Sequence, residues 1–130
     1  MIGVEVVDRL LALRAIEPFQ ALEASELLLI ARHARPRSYP PGRTILAAGA
    51  VADLLVVRTA GAALAGDKPA PPVFDAAGLL FGLAATVDHV AGPEGLDALV
   101  IAKPHVFTIA RECPEFVVGL HRLLARDGSA

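Results

Sequence analysis

Glycine and proline cut the middle of this chain into short pieces. Between Arg37 and Ile101 the apolar runs are brief: Thr44-Ile45-Leu46, Leu54 to Thr59, Val73-Phe74 and Ala98 to Ile101. Such runs, rich in branched residues and bounded by turn formers, read as strands rather than helices. Pro40-Pro41-Gly42 is a turn for a physical reason: proline presets φ and glycine accepts positive φ. Arg37-Ser38-Tyr39 reads as a short edge strand before it. Gly61 turns the Leu54 to Thr59 strand into Ala62 to Ala65, Gly66 to Pro72 is a proline-rich loop, and Gly92 to Gly95 is a second turn.

Longer helical spacing appears outside this region. Val6, Leu10, Leu13 and Ile16 share a face over Val4 to Ile16, and Pro18 ends that segment. Leu27, Ile30, Ala31 and Ala34 do the same from about Ala24, with Glu23 and Glu26 favouring the first turn through the helix dipole. Pro104 suits a helix start, with Val106, Ile109 and Ala110 on one face. Cys113-Pro114 breaks that helix, and a last one runs from about Glu115 to Arg126 with Phe116, Leu120, Leu123 and Leu124 as its stripe. Helices over about 4–34, short strands over about 37–101 and helices over about 104–126 predict one α+β domain spanning 1–130. Its core is a jelly-roll-like β-roll, a double-stranded β-helix, flanked by the N- and C-terminal helices.

Composition narrows the function. At 130 residues with 55% apolar and 20% charged residues, the chain can bury a core and is not disordered. Its longest uncharged run is Ala76 to Val87, well short of the roughly 18–20 residues that span a bilayer, so no membrane partner is expected. The formal charge of −2 argues against nucleic acid, and Arg32, Arg35, Arg37 and Arg43 read as solvated residues flanking a loop. Cys113 is the single cysteine, which excludes an internal disulfide and fits a reduced, cytoplasmic setting. It lies near a helix end, where the dipole disfavours a thiolate, and reads as a packed, inert residue. His33, His89, His105 and His121 have no metal-binding spacing, so they read as scattered surface residues and no metal or other cofactor is expected. No catalytic motif is present, so the chain does not read as an enzyme.

One stretch stands apart. Gly78 to Val87 carries no charge, and its Phe81-Gly82 pair precedes small residues and a helix-compatible segment. This is the outline of a turn whose backbone N–H groups receive an anion. The candidate ligand-binding residues are therefore Leu80, Phe81, Gly82, Leu83, Ala84, Ala85, Thr86 and Val87.

The ordered landmarks resemble the cyclic nucleotide-binding domain of the catabolite activator and protein kinase regulatory subunit superfamily. Pro18-Phe19-Gln20-Ala21-Leu22 is similar to its opening segment, and Arg37 to Leu46 to its first two strands. Gly49, Ala52 to Val57 and Gly61 resemble its next strands, and Phe81-Gly82 its phosphate-binding cassette. Leu99-Val100-Ile101, Phe107 and Pro114-Glu115-Phe116 resemble its last strand and hinge helices. The resemblance implies a cyclic nucleotide held in the roll and a C-terminal helix that relays occupancy. The family cassette reads Phe-Gly-Glu-(Leu/Ile)-Ala and then Arg-(Ala/Thr/Ser)-Ala, with the glutamate on the ribose and the arginine on the phosphate. Here Leu83 stands in the glutamate's place, and no arginine occurs from Thr59 to Ala110. His89 could replace the missing cation only when protonated and reads as a turn residue.

The expectation is thus a degenerate regulatory module without normal cAMP or cGMP affinity, acting through an unidentified protein partner. The alternative is a small-molecule sensor whose pocket Leu80, Phe81, Leu83 and Val87 make apolar. A filled roll favours the first and a cavity of a few hundred Å³ the second. Phe116, Leu120, Leu123 and Leu124 either fold back on the chain's own roll, the preferred reading, or form a homodimer interface.

Overall fold

A computed structural model describes residues 4–16, 19–74 and 76–127, with side chains described for 5–16, 19–74 and 76–120. The chain divides into two compact units, residues 35–103 and the combination of 1–34 with 104–130. The first holds an antiparallel sheet and the second holds helices, an α+β architecture as expected.

The sheet comprises β1 (Arg35–Tyr39), β2 (Thr44–Leu46), β3 (Leu54–Ala65), β4 (Lys68–Pro69), β5 (Val73–Phe74) and β6 (His89–Ala102). Its order is β1-β6-β3-β4, with β2 also on β6 and β5 also on β3. Thus β6 is the common partner of β1, β2 and β3. Pro36 is tolerated because β1 has a neighbour on one side only. Ser38 faces Asp97 across the β1–β6 ladder and donates its hydroxyl to Asp97 Oδ1 at 2.8 Å.

Tyr39, Val56, Phe74, Leu96, Ala98 and Val100 form one buried cluster of this unit. Leu55, Val57, Leu99 and Ile101 alternate with them along the strands and are buried too, so this part of the sheet is covered on both faces.

The glycines correct the expected strand ends. Gly92 to Gly95 is no turn, because β6 runs through it, and Gly61 does not end β3. Gly61 and Gly95 have φ of +77° and +81° and lie where the β3–β6 ladder shifts register. A Cβ on Gly61 would sit 2.4 Å from the Gly95 carbonyl oxygen, and one on Gly95 would sit 2.9 Å from that of Tyr39. These glycines make bulges that bring backbones close and increase strand twist.

The helical unit holds α1 (Val4–Arg14), a 3-10 turn (Phe19–Ala21) and α2 (Ala24–His33), then, beyond the sheet, α4 (Lys103–Glu112) and α5 (Pro114–Asp127). A short α3 (Ala76–Phe81) lies in the other unit, between β5 and β6. Glu23 and Glu26 do more than complement the dipole of α2: they form a reciprocal capping box. Arg9 donates to the Ala34 carbonyl at 3.0 Å, fastening α1 to the end of α2. The Phe19 and Phe116 rings stack at 5.9 Å, both fully buried.

Candidate functional site

The segment expected to cradle an anion is built differently. The short helix α3 ends at Phe81 rather than starting after Phe81-Gly82. Gly82 adopts φ +69° just past the last helical residue, and Leu83 N–H donates to the Gly78 carbonyl at 3.1 Å. That is a glycine-terminated helix C-terminus, the end carrying partial negative charge. Local sequence favours this stop, because glycine enters the left-handed region without steric cost.

Beyond Gly82 the chain becomes sheet-like. Ala84 bridges to Val51, Ala85 N–H donates to the Ala50 carbonyl at 2.8 Å, and Gly49 N–H donates to that of Ala85 at 2.8 Å. Asp88 accepts from Ala48 N–H at 2.7 Å. The N–H groups of Leu83 and Ala85 are therefore already committed. Phe81 and Leu83 are 66% and 56% exposed, Ala85 is buried, and Gly82, Ala84, Thr86 and Val87 are exposed, with Leu80 half-buried.

A cavity of about 270 Å³ lies elsewhere in the sheet unit, and none of those eight residues lines it. Tyr39, Val56 and Phe74, all buried, contribute to its inner lining, and Ile45, Leu46 and Leu54 are half-buried. Arg37 and Asp53 also line it and are exposed. The Arg37 guanidinium lies 4.9 Å from the centre of the Tyr39 ring, a cation–π contact. Burial raises the Tyr39 phenol above its usual range, while Arg37 pulls it down and Asp53 pushes it up.

Arg37 and Asp53 escaped the sequence reading because one lies in an arginine-rich stretch and the other reads as a strand opener. They line one cavity because β1, which holds Arg37, and β3, which Asp53 immediately precedes, pair with the same β6.

His89 is corrected from turn residue to buried first residue of β6. Its ring tilts against Phe74 at 5.8 Å, and its buried Nδ1 has no hydrogen-bond partner among the described residues. The histidines are not simply scattered either, since His33 and His105 stack at 4.5 Å in the helical unit. The side chain of His121 lies outside the described residues. Among the described residues no group of three or more potential ligands could hold a metal ion, and no helix is long and apolar enough to cross a membrane.

Of the candidate interface residues, Phe116 and Leu120 are buried, and the side chains of Leu123 and Leu124 lie outside the described residues. Cys113 is buried as well, and its thiol donates to Glu26 Oε2 at 2.9 Å. Burial first, and then this hydrogen bond, push the thiol from 9.0 up to about 11. The folded state holds the proton more tightly than the unfolded chain does. Stability from this source is complete below pH 9.0 and is lost as pH climbs toward about 11. Cys113→Ser should flatten this alkaline decline relative to wild type, as read from urea midpoints across the window. A stability difference between the two proteins that stays constant with pH would contradict the assignment.

No family model matches the sequence, and no curated protein does. Solved structures match the fold. The catabolite activator protein of Thermus thermophilus superposes with a TM-score of 0.72 at 22% identity, over 84% of this chain and 56% of that one. The cAMP-bound PfPKA-R fragment 141–441 gives 0.78 at 16% identity, over 94% and 44%. A cyclic nucleotide-binding domain from Methylobacillus flagellatus KT gives 0.77 at 14% identity, over 95% and 78%. The chain has the fold of the cyclic nucleotide-binding domain, and it spans about half the length of the first two of these proteins.

Proposed function

We propose that this chain is a regulatory module on the cyclic nucleotide-binding fold that does not bind cAMP or cGMP with ordinary affinity and acts through a protein partner. The observation that carries this reading is the uncharged stretch from Ala76 to Val87, with the N–H groups of Leu83 and Ala85 bonded internally. Matched to the structure by its helix start, the family pattern moves from Phe81 back to Phe74. Ala76 then takes the glutamate's place, and Leu83-Ala84-Ala85 that of Arg-(Ala/Thr/Ser)-Ala. The charged partners are missing in either register.

A partly desolvated phosphate needs paired charge or dense hydrogen bonding. Removing one partner of such a pair costs about 2–5 kcal/mol or more, tenfold in affinity for every ~1.4 kcal/mol. The exposed side chains of Phe81 and Leu83 support a protein-facing role, because large apolar groups on a surface mark contact sites when they cluster. Among the described residues no set suggests catalysis, and a non-enzymatic role in the cytoplasm completes the reading.

Isothermal titration with cAMP and with cGMP should give no saturable heat in the micromolar range. Micromolar or tighter binding of either nucleotide would overturn the proposal. The cavity favours a second reading, in which the module senses a small ligand other than a cyclic nucleotide.

A further inference from the structure

The cavity beside Tyr39 has a distinct polarity. Its buried lining is apolar apart from the Tyr39 hydroxyl, and the two fully charged side chains that line it, Arg37 and Asp53, are exposed. Among the described residues these two form no ion pair with one another or with any other side chain. The Arg37 guanidinium carbon lies 4.9 Å from the centre of the Tyr39 ring, which holds at the cavity a group that can meet a carboxylate in fork geometry.

A simple anion at this mouth would be repelled by Asp53, and a simple cation by Arg37. A purely apolar ligand would leave both charges without partners. The ligand that satisfies every wall carries both signs at one end and an apolar group at the other. Size sets a second limit. Sites for drug-sized ligands run from about 300 to 1,000 Å³, so about 270 Å³ suits a smaller molecule.

We infer that the roll cavity binds a free α-amino acid with an apolar side chain, its carboxylate on Arg37, its ammonium on Asp53 and its side chain against Ile45, Val56 and Phe74. This rests on the sensor reading of the module and names its ligand class. It assigns Arg37 and Asp53 as binding residues.

The test is calorimetry on the whole chain with L-leucine and L-phenylalanine, then with N-acetyl-leucine and leucine amide, which remove one charge each. The free amino acids should bind, and each blocked form should bind about tenfold more weakly or worse, the loss expected for one charge-assisted hydrogen bond. Arg37→Gln should abolish the penalty for blocking the carboxylate, and Asp53→Asn the penalty for blocking the amine. Both side chains are exposed, and the contact Asp53 makes with Lys103 N–H uses its backbone carbonyl, so melting temperatures should hold. If a variant melts early, the blocked-ligand series on the wild type decides alone. The inference is overturned if neither amino acid binds at millimolar concentration, if the blocked forms bind as well as their parent, or if folded variants discriminate as the wild type does. cAMP in the same series separates the two claims: its binding defeats the proposed loss of nucleotide affinity, whereas the leucine titrations decide the cavity's ligand by themselves.

Discussion

Phe116→Ala should lower stability by about 3–5 kcal/mol, the usual range for emptying a buried phenylalanine site. Phe116 is fully buried and stacked on Phe19 at 5.9 Å with 29° between the rings, and such aromatic pairs add about 0.5–1.5 kcal/mol beyond area alone. Urea unfolding monitored by circular dichroism measures the effect. The same substitution separates the two roles for α5. A residue of the chain's own core shifts the unfolding midpoint at every protein concentration. A residue of a dimer interface shifts the sedimentation mass instead and leaves monomer stability nearly intact, which would refute the core assignment. Leu120→Asp follows the same logic: with Leu120 only 1% exposed, it places a charge in the interior and should unfold the helical unit rather than release a clean monomer.

Gly61→Ala should be comparably damaging to the sheet unit, at about 2–5 kcal/mol. Part is conformational, since positive φ costs an L-residue roughly 1–2 kcal/mol. The rest is steric, because overpacking typically costs about 1–3 kcal/mol and the new methyl carbon would lie 2.4 Å from the Gly95 carbonyl oxygen. Gly42 supplies the control. Its φ is +76°, yet a Cβ there meets nothing within 4 Å, so Gly42→Ala should show the conformational part alone. Equal losses from the two variants in urea unfolding would refute a tight Gly61–Gly95 approach.

The two glycines also show where sequence reading stops. Helix positions were legible because Leu27, Ile30 and Ala31 declare their shared face within a few residues. The strand at Leu55-Val56-Val57 was legible for the same local reason. Gly92 and Gly95 look like a turn when read locally. What makes Gly95 a bulge is its distant neighbours, Tyr39 and Gly61. Phe81-Gly82 misled in a related way. The pair marks a helix end, and the direction of that end depends on where α3 begins and on the bridge from Ala84 to Val51. The absence of charge was visible at once, since it is a property of composition. The cavity was not visible, because Arg37 and Asp53 share it only through the pairing of two strands with a third.

That third strand has a consequence for how the molecule is made. Residues 35–65 contain three strands whose common partner is β6, residues 89–102. On the ribosome those strands lack this shared partner until β6 has left the exit tunnel, although β3 can already meet β4 and β5. Pairing that spans so much chain is slow to nucleate and exposed to aggregation meanwhile. The completion of one late segment, rather than stepwise growth, governs when this sheet can close.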